Sequence, residues 1–181
     1  MNLRWHFYVQ NLDIVALEMI CVFLIWTVLM LLLTRKARRI VSIIGAILSI
    51  GLILFSTVYR QVAVEDVQIS LIPFISFVKA MDEVELYRSM LMNLCLFLPL
   101  GLSLPFALFE KFKHNVLITI AFALLLSIGV ETVQYFFILG LCETDDVIMN
   151  ALGASIGTLS FVIHKWILIL KQKHIHRHIT R

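Results

Sequence analysis

Two polar patterns stand out in a chain that is otherwise mostly apolar: Glu131 with Gln134, and Asp145-Asp146 with Asn150. Glu131 and Gln134 lie three residues apart, so on a helix they share one face. Asp146, Asn150, Gly153 and Gly157 fall at i, i+4, i+7 and i+11, a single stripe along a second helix. Asn93, four residues after Ser89, adds a polar group from a third helix. A carboxylate set within a membrane helix needs a proton, a cation or a hydrogen-bonded cavity. Asn93, Glu131, Gln134, Asp145, Asp146 and Asn150 are therefore the candidate binding residues, and Glu131 with Asp146 is a candidate general acid/base pair. A plainer account stands beside each. Asn93 and Asn150 could cross-link helices for about 1 kcal/mol or less, Gln134 could do the same near the interface, and Asp146 could simply cap a helix.

The elements that must hold these residues follow from composition. The chain has 181 residues, 61% hydrophobic and only 15% charged, with mean hydropathy +0.97. Soluble domains are about half apolar and about a quarter charged, so too few polar residues remain to cover a soluble surface. Disorder is excluded by this hydrophobicity, and a membrane β-barrel by the long unbroken apolar runs. Five such runs, 14–33, 40–59, 89–109, 116–138 and 147–169, are each about twenty residues long, enough for roughly 30 Å of hydrocarbon. The expectation is an all-α, polytopic bundle forming one integral membrane domain over residues 1–181. The first run is read as a retained anchor, because Asp13 and Glu18 precede its core and Arg35-Lys36-Ala37-Arg38-Arg39 follows it.

Lysine and arginine set the orientation. Ten of them (Arg35, Lys36, Arg38, Arg39, Lys111, Lys113, Lys171, Lys173, Arg177 and Arg181) fall on one side of a five-span arrangement, and Arg4, Arg60, Lys79 and Arg88 on the other. The amino terminus is accordingly expected outside and the carboxyl terminus inside. All the candidate residues then lie in the outer half of the bilayer, with Glu131 about 10 Å deep. Because the basic residues flank spans, they read as topology signals, and no nucleic-acid partner is expected. The connection 60–88 carries Leu71-Ile72-Pro73-Phe74, where Pro73 breaks any helix. It either re-enters the outer leaflet or packs over the bundle mouth. Pro99 is expected to kink the third span, and Gly153 and Gly157 to let helices approach closely.

Other chemistries find no support. Cys21, Cys95 and Cys142 have neither metal spacing nor the even count of a disulfide framework. The acidic residues match no cation-binding loop, and His174-Ile175-His176-Arg177-His178 reads as a basic tail near anionic lipid. No metal or cofactor is expected. Serine–histidine–acid sets, phosphate-binding glycine loops and CxxC pairs are absent from the sequence.

The order of these motifs resembles the VanZ-like family. The matching pieces are Leu71-Ile72-Pro73-Phe74, then Asn93 through Phe97, Pro99 and Gly101, then Glu131-Thr132-Val133-Gln134, then Asp145-Asp146-Val147-Ile148-Met149-Asn150 with Gly153 and Gly157. They extend over about residues 58–165. The resemblance implies a multi-pass protein of the bacterial plasma membrane that lowers susceptibility to teicoplanin or related lipoglycopeptides without remodelling the peptidoglycan precursor. It carries Asn93, Glu131, Gln134, Asp146 and Asn150 over as motif residues, with Pro73, Pro99, Gly101, Gly153 and Gly157 structural. Where many members have an arginine before Asp146, this chain has Gly140-Leu141-Cys142-Glu143, an acidic mouth with Arg60 and Arg88 as candidate countercharges. The expected partners are membrane lipids and a lipoglycopeptide or lipid-linked cell-wall intermediate. The leading expectation is a non-enzymatic protein with an outward-facing polar pocket. The alternatives are a membrane enzyme acting on a lipid-linked substrate and, with less support from the absence of inverted repeats, a small transporter.

Overall fold

A computed structural model describes residues 3–59, 68–79, 84–108, 114–139 and 141–179. Within them, five helices are long and apolar enough to cross a membrane. They are α1 (Leu3–Leu32), α2 (Arg35–Leu54, continued by a π-helical turn Phe55–Tyr59), α4 (Val84–Ala107), α5 (Asn115–Phe136) and α6 (Thr144–Ile179). A short helix α3 (Ile75–Lys79) and two three-residue strands, β1 (Gln68–Ser70) and β2 (Leu141–Glu143), complete the fold. The all-α expectation holds, with the strands as an addition. The basic run Arg35–Arg39, read from sequence as a loop, instead forms the start of α2, because Thr34 caps it by accepting from the Ala37 amide at 3.4 Å.

α4 is the axis of the bundle. Half of its spanning window is buried inside the protein, against about a tenth for α1. Phe97 and Leu100 of α4 form the core with Ile53, Ala123, Val130 and Ala154. Large apolar side chains that face outward, such as Ile25, Leu48, Leu125 and Trp166, are each at least 60% exposed. On a soluble protein such a surface would aggregate; around a spanning bundle it meets acyl chains.

In lipid, apolar side chains gain little by leaving one apolar medium for another, so association rests on close packing and hydrogen bonds. The packing is concentrated where α4 meets α6, the most extensive helix pair. A Cβ on Gly101 would collide with the main chain of Ala154, one on Gly153 with the carbonyl of Leu94, and one on Gly157 with that of Leu98. Main chain lies directly on main chain at all three positions. The hydrogen bonds are distributed around this seam. Trp26 Nε1 donates to the Leu102 carbonyl at 2.8 Å and Thr27 Oγ1 to Ser160 Oγ at 2.9 Å, which holds α1 onto α4 and α6. Pro99 and Pro105 both lie inside α4, and the buried Asn115 amide donates to the Pro105 carbonyl at 3.0 Å, tying the start of α5 to the end of α4.

The described part of the long connection, 68–79, is docked on the bundle. β1 pairs in parallel with β2, Ile69 opposite Cys142, and α3 contacts α4 and α6. Leu71, Ile72 and Phe74 remain exposed on its outer side. Residues 60–67 and 80–83 of this connection, Arg60 among them, lie outside the described residues.

The glycine seam gives a direct prediction. Gly153→Val should cost about 3 kcal/mol through overpacking against backbone that cannot move aside. Gly129→Ala and Gly51→Ala, with open space around the new methyl, should melt at or above the wild-type temperature. Thermal melts of the purified protein in detergent check this, and a Gly153→Val protein as stable as wild type would show that the seam is looser than described.

Candidate functional site

The polar residues picked out in sequence converge at one end of α4, α5 and α6, but they divide into three structural roles. Asp145 opens α6, whose first turn is acidic. Its carboxylate does not face its own helix. Oδ1 accepts from the Phe74 amide at 2.6 Å and Oδ2 from the Ser76 amide at 2.8 Å, with Asp145 only 2% exposed. These are the free N–H groups at the start of α3, so Asp145 is the cap of a helix about seventy residues away in the chain. Phe74 has φ 65°, a left-handed conformation that is costly for a bulky residue. Two charge-assisted hydrogen bonds on either side of it offset that cost.

Gln134 also turns away from the other candidates. Its Nε2 donates to the Thr57 carbonyl at 3.0 Å. Thr57 lies in the π-helical turn, where the altered spacing leaves carbonyls available to a neighbour. Gln134 thus links the end of α5 to the π-helical end of α2.

The remaining four candidates form the cluster proper, in two layers one helical turn apart. In the outer layer, Glu131, buried at 7% exposure, accepts from the Glu143 amide at 3.1 Å and is hydrogen-bonded by the Cys142 thiol. Asn93 of α4 lies beside the Asp146 carboxylate. In the inner layer, Asn150 Nδ2 donates to Ser127 Oγ at 2.8 Å, both residues being buried. Asp146 Oδ1 and Asn150 Oδ1 are buried with no hydrogen-bond partner among the described residues. Beneath Asn150, Gly153 meets the Leu94 carbonyl and closes the floor with backbone.

The electrostatics of this end are acidic. Burial pushes the Glu143 carboxyl above its ordinary value, Asp145 adds to the rise, and the Ser76 hydroxyl (3.4 Å from Oε2) and the Lys79 charge pull it back. Lys79 is a countercharge that sequence reading did not single out. Arg88, which it did, is exposed. The Cys142 thiol is pushed up to about 11, first by burial and then by the Glu131 charge and hydrogen bond, with Asp146 and Glu143 adding to it. Such a thiol stays protonated near neutrality and is no nucleophile. Among the described residues, no three His, Cys, Asp or Glu side chains converge so as to hold a metal ion.

The structure draws these residues together in a buried, hydrogen-bonded cluster. Two cavities among the described residues lie away from it: one of about 640 Å³ at the opposite end of the bundle, and an apolar groove of about 380 Å³ on the flank of α1, α4 and α6. Ser127 was within reach of sequence reasoning, being one turn from Glu131 on the same face. Cys142, Ser76 and Thr57 carried no such signal, since strand pairing and the π turn bring them in.

Compared with known proteins, residues 19–168 match the family model described as VanZ/LLP1, a longer stretch than the motifs alone span. Neither the curated proteins nor the solved structures contain a match to the chain.

The thiol gives the test of this geometry. In a protein whose single cysteine is Cys142, alkylation should follow a pH profile with its midpoint near 11, against 9.0 for an ordinary thiol. Glu131→Gln removes a negative charge and lowers that midpoint. More of the thiol is then ionised at pH 8, and alkylation there should speed up by roughly tenfold. An unchanged profile in Glu131→Gln would mean that the two side chains do not meet.

Proposed function

The chain belongs to the VanZ/LLP1 family, and from that premise we propose that it is a non-enzymatic protein of the bacterial plasma membrane that lowers susceptibility to teicoplanin or related lipoglycopeptides. Its polar cluster faces the outer leaflet and engages either the drug or the lipid-linked cell-wall intermediate that the drug targets. The observation that carries this reading is the pair of unpartnered buried acceptors, Asp146 Oδ1 and Asn150 Oδ1. A buried acceptor without a donor costs about 1–3 kcal/mol. A ligand bearing N–H or O–H groups, as a glycopeptide or a sugar-linked lipid does, offsets that cost. Teicoplanin also carries an acyl chain. The flank groove suits such a chain, since it is lined by Met19, Ile20, Phe23, Leu91 and Leu94, the last adjoining Asn93 in sequence. The backbone floor at Gly153 speaks against a path through the bundle and hence against a transporter.

A second reading has one observation in its favour. Glu131 and Asp146 lie close enough for both to act on Cys142, and two neighbouring carboxyl groups in a dry site suit acid/base work on a lipid-linked substrate. With Cys142 protonated, that enzyme would work without a thiol nucleophile.

Expression in a sensitive Gram-positive host at matched membrane levels separates these. Wild type should raise the inhibitory concentration of teicoplanin severalfold and leave vancomycin little changed, and Glu131→Gln and Asp146→Asn should each return the host to its starting sensitivity. Full resistance in both variants would remove the cluster from the mechanism. No protection by wild type would overturn the resistance reading, and a lipid modified only by wild type would favour the enzyme.

A further inference from the structure

Ser76 turns inward from the 68–79 segment and is buried, but Leu71, Ile72, Phe74 and Val78 are each at least 59% exposed. The ring of Phe77, also exposed, lies 5.8 Å from that of Phe74. From Leu71 to Val78 the sequence carries no charge, and Lys79, which follows, acts on Glu143. An apolar surface gathered in this way marks a place where a protein, a ligand or a membrane is met.

Hydrogen bonds fix the level of the segment. The apolar span of α6 begins at Thr144, and the next residue, Asp145, accepts from the amides of Phe74 and Ser76 at 2.6 and 2.8 Å. Just before these residues, β1 and β2 are paired as far as Ser70 and Glu143. The backbone of 68–76 is therefore held level with the start of a span, where hydrocarbon gives way to headgroups. Exposed aromatic side chains stand at the ends of the neighbouring spans on this side. Tyr59 ends that of α2 and Phe136 that of α5, and Tyr87 is the second residue of that of α4. Aromatic side chains gather at the membrane–water interface, and the surface from Leu71 to Val78 continues theirs.

Phe74 adds a second observation. Its φ of 65° is one that glycine or asparagine adopts more cheaply, yet the fold holds a phenylalanine there and leaves its ring exposed. Toward water such a ring gains nothing; toward lipid it buries its apolar area. We propose that Leu71, Ile72, Phe74, Phe77 and Val78 insert among lipids at the headgroup–acyl boundary of the leaflet at the carboxylate end, an interfacial anchor whose backbone stays on the bundle. With the amides of Phe74 and Ser76 met by Asp145, side chains enter the lipid and the main chain does not have to. A protein partner would find no charge on this surface to select it. The anchor is independent of the function proposed for the polar cluster.

The test is the depth of this surface in the full-length protein, reconstituted into bilayers of phosphatidylglycerol and phosphatidylethanolamine. A cysteine-free chain (Cys21→Ser, Cys95→Ser, Cys142→Ser) carrying Ile72→Cys or Val78→Cys is labelled with a nitroxide. Collisions of the label with oxygen and with a water-soluble nickel chelate then give its depth. Both labels should lie about 5–10 Å below the phosphates, and one at Leu125→Cys, exposed midway along α5, should lie deeper. Labels at 72 and 78 as open to nickel as a nitroxide in solution would overturn the proposal, because the surface would then face water. So would a depth equal to that at 125, which would mean that the backbone re-enters the hydrocarbon, and shielding from both collision partners, which would mean that protein covers the surface. Should the cysteine-free chain fail to fold, Ile72→Trp in the otherwise native protein gives the same reading. Phospholipid brominated high on its acyl chains should quench the added fluorescence, and fluorescence quenched by aqueous iodide instead would overturn the anchor.

Discussion

Along the α4–α6 seam, Gly101, Gly153 and Gly157 bring main chain against main chain, and the rest of the bundle is built around that contact. A bilayer gives two apolar helices little reason to leave lipid for each other, so the depth of their approach decides how much dispersion attraction they share. Glycine permits the closest approach. Once α4 and α6 are fixed in this register, Asn93 and Asp146 meet on one side of it and the apolar groove beside Leu91 and Leu94 forms on another. The seam also closes the polar cluster with backbone below Asn150.

The end that carries the carboxylates is then assembled by backbone groups seeking partners. β2 offers its edge to β1, and the amides of Phe74 and Ser76 find the Asp145 carboxylate. The amide of Glu143 finds Glu131. Each contact ties the 68–79 segment or the α5–α6 turn to a spanning helix, and irregular backbone persists near a membrane where its N–H groups are met by protein, as those of Phe74, Ser76 and Glu143 are. The cluster of acids is therefore partly a structural device. Asp145 and Glu131 hold loops, and the acceptors left without a donor, on Asp146 and Asn150, are the ones that a ligand could meet.

The two ends differ in kind. One gathers carboxylates around few cations, the other gathers cations with no acid in the described wall. Lys79 moderates the first through its effect on Glu143. A bundle polarised in this way presents different chemistry to the two leaflets without any domain outside the membrane among its described residues.

Much of this was legible in the residues themselves. The number and order of the spans follow from apolar runs, and the stripe of Asp146, Asn150, Gly153 and Gly157 follows from helical period, because both are local properties that a chain carries whatever its neighbours do. The structural glycines could be named for the same reason. What period cannot give is the rotation of one helix against another or the path of a connection. Gln134 shares a face with Glu131, yet it bonds to Thr57, because a π turn in α2 exposes that carbonyl. Asp145 adjoins Asp146, yet it caps α3, because parallel pairing of β1 and β2 carries a segment some seventy residues distant to its side. The basic residues read as topology signals, and only the packing of α2 and α6 on α4 turned some of them into the wall of a cavity. Sequence determined which groups sit at which depth; the tertiary contacts, which depend on pairs far apart in the chain, decided which of them face one another.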